Sequence, residues 1–152
     1  MLSRDDFGIR WGRHWLDIAR YADSTGGGRT LLLNEAWRYR DYVIKSLNND
    51  KPYDLFIKEQ IAGDLLESSN PEQREERLIS TAFLLLGPTN YELQDKTILE
   101  MDIIDEQLDT IGKSFMGLTL GCARCHDHKF DPITTEDYYG LAGILKSTKS
   151  VI

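Results

Sequence analysis

A chain of 152 residues has the length of one ordinary domain and is long enough to bury a core. Its 41% hydrophobic and 28% charged residues make it too apolar for a disordered tail. The 25 Asp and Glu against 18 Lys and Arg give a net charge of −7, and such a surface repels phosphate backbones, which disfavours nucleic acid as a partner.

Taken in chain order, the apolar positions recur at helical spacing. Trp11, Trp15, Ile18, Ala19 and Ala22 predict an amphipathic helix over roughly Phe7 to Ala22, broken by the three glycines of "DSTGGGRT" (Asp23 to Thr30). That glycine run is not a phosphate loop, because no Lys-Ser/Thr follows at the required gap and no strand precedes it; it reads as a flexible connection. Asn34 is a candidate cap for a second helix whose apolar side is Trp37, Val43, Ile44 and Leu47, ended by "NNDKP" (Asn48 to Pro52). A third helix is predicted from Tyr53 to Leu66. Asn70 as cap with Pro71 at the first helical position starts a fourth, expected to run to Leu86 and stop at "GPTN". Apolar residues at 99, 103, 104, 108, 111, 115 and 118 predict a long helix from Ile98 to Leu120, with an interruption expected at Gly112 or Gly117. Thr134 and Asp137 stand in capping-box spacing at the start of a last helix. No strict alternation, repeat or low-complexity tract occurs, so the expectation is a single all-α domain over residues 1–152. The longest apolar run, Ile79 to Gly87, falls well short of the about 20 residues that span a bilayer. The opening "MLSRDDFGIRWGRHW" has charges where a signal peptide has an apolar stretch.

The chemistry concentrates in "GCARCHDHKFDP", Gly121 to Pro132, which holds both cysteines and two of the three histidines. Cys122-Ala123-Arg124-Cys125-His126 is C-x-x-C-H, the attachment sequence of c-type haem. Two thiols three residues apart reach the two vinyl groups on one porphyrin edge, and the next histidine is carried under the iron as proximal ligand. Three other readings compete. A zinc clamp would use Cys122, Cys125 and His126 or His128, although four ligands within seven residues are cramped and structural zinc sites draw on two separated pairs. A thioredoxin-like dithiol wants a βαβ setting, which this pattern lacks. A plain disulfide would close a very small loop and stabilise little.

The segment "GCARCHDHKFDPI", together with "HWLDIARYADS" (His14 to Ser24), "EAWRYRDYVI" (Glu35 to Ile44), "DKPYDLFIKEQIAGDLL" (Asp50 to Leu66) and "DEQLDTIGKSFMGLTLGCARCH" (Asp105 to His126), resembles the planctomycete-type cytochrome c-like family. That family is a domain of unknown function in large exported proteins of planctomycetes and verrucomicrobia. The resemblance covers the chain from about Phe7 to Ile152. It implies a haem-attachment motif at Cys122, Cys125 and His126, and a segment of a longer, exported or periplasmic protein whose partners are neighbouring domains or a redox protein. It brings no reaction with it.

An axial partner for the iron could come from His14, Met101 or Met116, while His128 stands too near the proximal His126 to reach the opposite face. Core packing is the expected role of both methionines, and a surface or capping role that of His14. Asp127 could orient an imidazole or cap a helix end; Phe130 is expected in the core and Asp131-Pro132 in a turn. Arg20, Arg38 and Arg40 could hold haem propionates, but pairing with nearby carboxylates is expected first. Trp11, Trp15 and Trp37 are expected in the core. Three functions follow: a haem c electron-transfer module, a redox enzyme with five-coordinate iron acting on peroxide, and a structural or interaction domain whose C-x-x-C-H holds a non-haem metal such as zinc or, with no cofactor, a disulfide.

Overall fold

The computed structural model describes residues 6–148, so the two ends of the 1–152 span lie outside the described residues. It is helical as expected, with no strand among the described residues; Ser24 and Leu32 form an isolated bridge. The six α-helices are α1 (Phe7–Ile18), α2 (Ala36–Asn48), α3 (Tyr53–Ala62), α4 (Pro71–Ser80), α5 (Lys96–Ile111) and α6 (Thr135–Lys146). None of the described helices is long and apolar enough to cross a membrane. Residues 6–26 and 30–88 form one compact unit, and residues 27–29 and 89–148 form a second.

Several helix ends depart from the sequence expectation for identifiable reasons. α1 stops at Ile18 rather than Ala22, because Arg20 takes the left-handed conformation at φ 56. The Tyr21 N–H then bonds Leu16 O at 2.9 Å and the Arg20 N–H bonds Asp17 O at 3.2 Å, which closes the helix in a Schellman pattern without glycine. Asp50, at φ 49, ends α2 in the same way through Asp50 N to Leu47 O and Lys51 N to Ser46 O. α2 begins at Ala36 with Glu35 before it, so Asn34 is not its cap. α3 and α4 tighten into 3₁₀ turns at Gly63–Leu65 and Thr81–Leu84 instead of running on to Leu66 and Leu86. Asn70 does cap α4, accepting from Gln73 N with Pro71 at the first position.

In the first unit α1 lies on α2 through glycine. A Cβ at Gly8 would stand 2.3 Å from the Ile44 carbonyl oxygen, and the Gly8 N–H donates to Asn48 Oδ1 at 2.7 Å. Gly8→Ala therefore forces backbone apart. We expect a loss of about 1–3 kcal/mol in urea denaturation, whereas Gly12→Ala, whose nearest neighbour would be a side-chain carbon at 3.5 Å, should change little. Trp15 is the one tryptophan of the three that enters the interior: its ring packs on Phe56 and Phe83, and its Nε1–H reaches Tyr39 Oη at 2.9 Å and Gln60 Oε1 at 3.0 Å. Trp11 and Trp37 are about half exposed, against the expectation of core.

Beneath that aromatic layer lies a buried charge. Glu59, 2% exposed, accepts from Tyr42 Oη at 2.8 Å, Lys51 Nζ at 2.5 Å and Arg77 Nε at 3.3 Å. The Ser80 hydroxyl donates to its main-chain carbonyl at 2.6 Å.

The second unit is built on α5 and α6. Asp95 caps α5 by accepting from Thr97 N and Ile98 N. The helix widens at Gly112 into a π turn, Gly112–Met116, and ends at Gly117 in the left-handed conformation at φ 67, so both glycines named as interruption points act there. Thr134 and Asp137 form the capping box of α6. Between these helices the core is Ile104, Leu108, Ala123, Tyr138 and Ala142, with Met101, Ile133 and Leu145 packed against it.

Candidate functional site

The cysteine segment joins α5 to α6. Leu120–Arg124 is a 3₁₀ helix with three residues per turn, so residues three apart share an edge. Leu120, 2% exposed, and Ala123, 0% exposed, form the inward edge. Cys122 lies within this turn and Cys125 just after it, and both are exposed free thiols.

Arg124, the remaining residue of the motif, is tied down onto α5. Its Nη2 donates to Asp102 Oδ1 at 3.1 Å and its Nη1 lies 3.2 Å from Asp105 Oδ2. Tyr138 Oη donates to Asp105 Oδ1 at 2.5 Å, and Tyr139 Oη donates to the Arg124 carbonyl at 3.2 Å. Burial, followed by the hydrogen bond to Asp105, raises the Tyr138 phenol well above the ordinary tyrosine range, so it remains a donor. These bonds attach the motif to the helices on either side.

His126 is exposed, and its Nδ1 lies 2.8 Å from the main-chain oxygen of Asp127. A carbonyl can only accept, so Nδ1 carries the proton and the neutral ring has its lone pair on Nε2, clear of that bond. The Asp127 carboxylate accepts from Thr135 N at 2.8 Å, so it caps α6 while its carbonyl orients the neighbouring imidazole.

His128 has the opposite surroundings. Its side chain is 7% exposed, and its Nδ1 faces the main-chain N–H groups of Phe130 at 3.2 Å and Asp131 at 2.9 Å. Main-chain N–H groups can only donate, so Nδ1 accepts and Nε2 holds the proton, given to Thr119 Oγ1 at 3.0 Å. The Asp131 carboxylate oxygen 3.3 Å from Nδ1 sits beside a lone pair that two amides already occupy. Metal ligation by His128 would cost all three bonds. Thr119 is a residue that sequence reasoning passed over, since a threonine three before a cysteine carries no signal of its own.

The remaining candidates are placed as follows. Met101 packs on the core of the second unit, as expected. Met116, expected in the core, is 56% exposed at the end of the π turn. Phe130, also expected inside, is 83% exposed with the Lys129 ammonium 5.1 Å from its ring centre, because the turn that His128 holds carries it outward. His14 belongs to the first unit, its ring 5.2 Å from that of Trp11. It borders a cavity of about 290 Å³ lined by Phe7, Trp15, Ile18, Leu47 and Phe56 among others. Arg38 pairs with Glu35 and Glu75 and Arg40 with Asp41, while Arg20 donates to the Phe83 carbonyl at 3.2 Å. Gly28 of the glycine run lies where a Cβ would meet Asn90 Oδ1 at 2.1 Å, which makes that run a close-packed turn. Among the described residues no group of three or more His, Cys, Asp or Glu side chains is arranged to hold a metal ion.

Two exposed free thiols and an imidazole whose Nε2 is clear of the Asp127 bond are the kinds of group that covalent haem attachment uses.

The family model for PSCyt2, described as a protein of unknown function (DUF1549), matches residues 1–150, and the chain belongs to that family. No curated protein and no solved structure matches it.

Proposed function

We propose that this member of the PSCyt2 family is a cytochrome c-like electron-transfer module, carrying one covalently attached haem within a larger exported protein. Cys122 and Cys125 supply the thioether sulfurs and His126 Nε2 the proximal ligand. The observation that carries the reading is the state of His126: its Nδ1–H is committed to the Asp127 carbonyl, so Nε2 is the nitrogen offered, in a segment whose two thiols are free and exposed. The haem would supply a one-electron iron couple. The chain's own part is to hold the attachment edge rigid through Arg124, Asp102, Asp105 and Tyr139, and to keep the His126 ring in one tautomer. Met116, with its side chain exposed, is the methionine of the second unit open to serve as sixth ligand. A basic redox partner suits the net charge of −7.

Zinc is the less favoured occupant, because Cys122, Cys125 and His126 make only three donors while both nitrogens of His128 are already hydrogen-bonded. A peroxide-reacting site with five-coordinate iron is the second reading, and it follows if Met116 does not ligate.

The test is an absorption spectrum with a pyridine haemochrome assay on protein exported together with a cytochrome c maturation system. We expect haem that resists acid-acetone extraction, in a six-coordinate low-spin state that Met116→Ala converts to high spin. A wild-type spectrum already high-spin and responsive to peroxide favours the enzyme reading, and a colourless protein beside a correctly matured control rejects both.

A further inference from the structure

The cavity in the first unit takes no part in the chemistry proposed for Cys122, Cys125 and His126. Phe7, Trp11, His14, Trp15 and Ile18 recur at helical spacing along α1, so one stripe of that helix lines it. Leu47 of α2 and Tyr53 and Phe56 of α3 complete the apolar wall. Its rings meet at angles: Trp15 stands edge-on to Phe56 with centroids 4.9 Å apart, and Phe7 is tilted against Trp11 at 6.2 Å. Around it three large side chains stay uncovered, with Trp11 49%, Ile18 46% and Tyr53 59% exposed. Apolar side chains left open to water around a concave site mark a place where a ligand gains by displacing that water.

The polar groups of the wall are engaged within the protein, and this sets the charge of the ligand. Lys51 Nζ binds Glu59 Oε2 at 2.5 Å and lies 4.6 Å from the centre of the Tyr42 ring. Ser46 is hydrogen-bonded to Tyr42, and Trp15 Nε1 donates to Tyr39 and Gln60. No acidic side chain lines the cavity. A cationic ligand would find no carboxylate there, and an anionic one would meet an ammonium already neutralised by Glu59, so either would give up hydration without a partner. The exposed His14 ring, 5.2 Å from that of Trp11, can pair with a hydroxyl or a ring N–H. Size follows from volume. An apolar cavity of roughly 150 Å³ takes one benzene ring, and the about 290 Å³ here take two. We infer that this cavity is a binding site for an uncharged, planar aromatic molecule of two fused rings, held among the rings of Trp11, Trp15 and Phe56 with its polar group at His14.

The cavity and the cysteine segment belong to different units, so this inference and the haem reading are measured separately and either can fail alone. The test is a heteronuclear NMR titration of the intact chain with β-naphthol, following the indole N–H signals of its three tryptophans. We expect the Trp11 and Trp15 signals to move and saturate together, with a dissociation constant on the order of 100 µM. Trp37, which does not line the cavity, should stay in place. Phenol, with one ring fewer to bury, should bind roughly tenfold or more weakly, and so should the anion β-naphthoate. Trp11→Ala, which removes a half-exposed ring, should weaken β-naphthol roughly tenfold and leave the circular dichroism unchanged. No saturable shift, an equal shift at Trp37, β-naphthoate binding as tightly as β-naphthol, or full affinity in Trp11→Ala overturns the assignment. So does light scattering at twice the chain mass with the Trp11 signal dependent on protein concentration, because the cavity is then covered by a second copy. The wild-type titration carries its own control in Trp37, so it decides the matter even if Trp11→Ala does not fold.

Discussion

Protein with both Cys122 and Cys125 replaced by alanine, exported alongside a working haem-attachment system, is expected to hold no haem after acid-acetone extraction, against one haem per chain for wild type. Each single alanine variant should retain a fraction, attached through one thioether, with a shifted haemochrome band. The expectation rests on local geometry. Both cysteines are free and exposed, one within the Leu120–Arg124 turn and one just after it, and alanine there removes only exposed atoms. Ala123 and Arg124, which tie the turn to the core, are untouched. Thermal unfolding of the haem-free double variant should therefore match that of haem-free wild type. Loss of haem then reports attachment and not misfolding. Retention of extraction-resistant haem in the double variant would contradict the proposed roles.

The second large effect is on stability. Glu59→Ala should cost about 3–5 kcal/mol in urea denaturation followed by circular dichroism, because it removes the carboxylate shared by Lys51 and Arg77, 15% and 10% exposed, leaving Lys51 only Glu76 Oε2 at 3.9 Å as a counter-charge. Tyr42 loses its acceptor in the same change. By contrast Arg38→Ala, which breaks exposed pairs with Glu35 and Glu75, should cost no more than about 1 kcal/mol. The Glu59 cluster also sets a pH dependence. Burial alone would push the Glu59 carboxyl up, but the hydrogen bonds and charges of Lys51, Tyr42 and Arg77 outweigh it and hold the group below its ordinary value of 4.5. A group lowered on folding adds stability above its unfolded value. That stability is lost as pH falls through the lower, folded one. Wild type should thus lose stability steeply below about pH 4, and Glu59→Gln, already destabilised at neutrality, should show a shallower fall.

The helices were legible wherever a side chain signals its own role locally. Asn70-Pro71 and Thr134 with Asp137 act as caps because their partners lie within one turn. The ends of α1 and α2 were less legible because Arg20 and Asp50 adopt positive φ without being glycine, a choice imposed by packing and invisible in composition. Within the cysteine segment the sequence singled out the two thiols and His126 by their spacing, but carried no sign of what each histidine bonds to. His126 and His128 are two residues apart and look alike on paper. What separates them is a main-chain carbonyl at one and two main-chain amides at the other, which only the folded turn brings into place. That same turn reverses the expectation for Phe130. An aromatic residue reads as core, yet here it lies at the tip of the loop that a buried histidine holds.

The central claim is tested most directly by the intact mass of the denatured protein after export with the maturation machinery. The account predicts a single species heavier than the apoprotein by one haem, with the mass added on the peptide that contains Cys122 and Cys125. The mass of the unmodified chain, obtained beside a control cytochrome that matured normally, would contradict it.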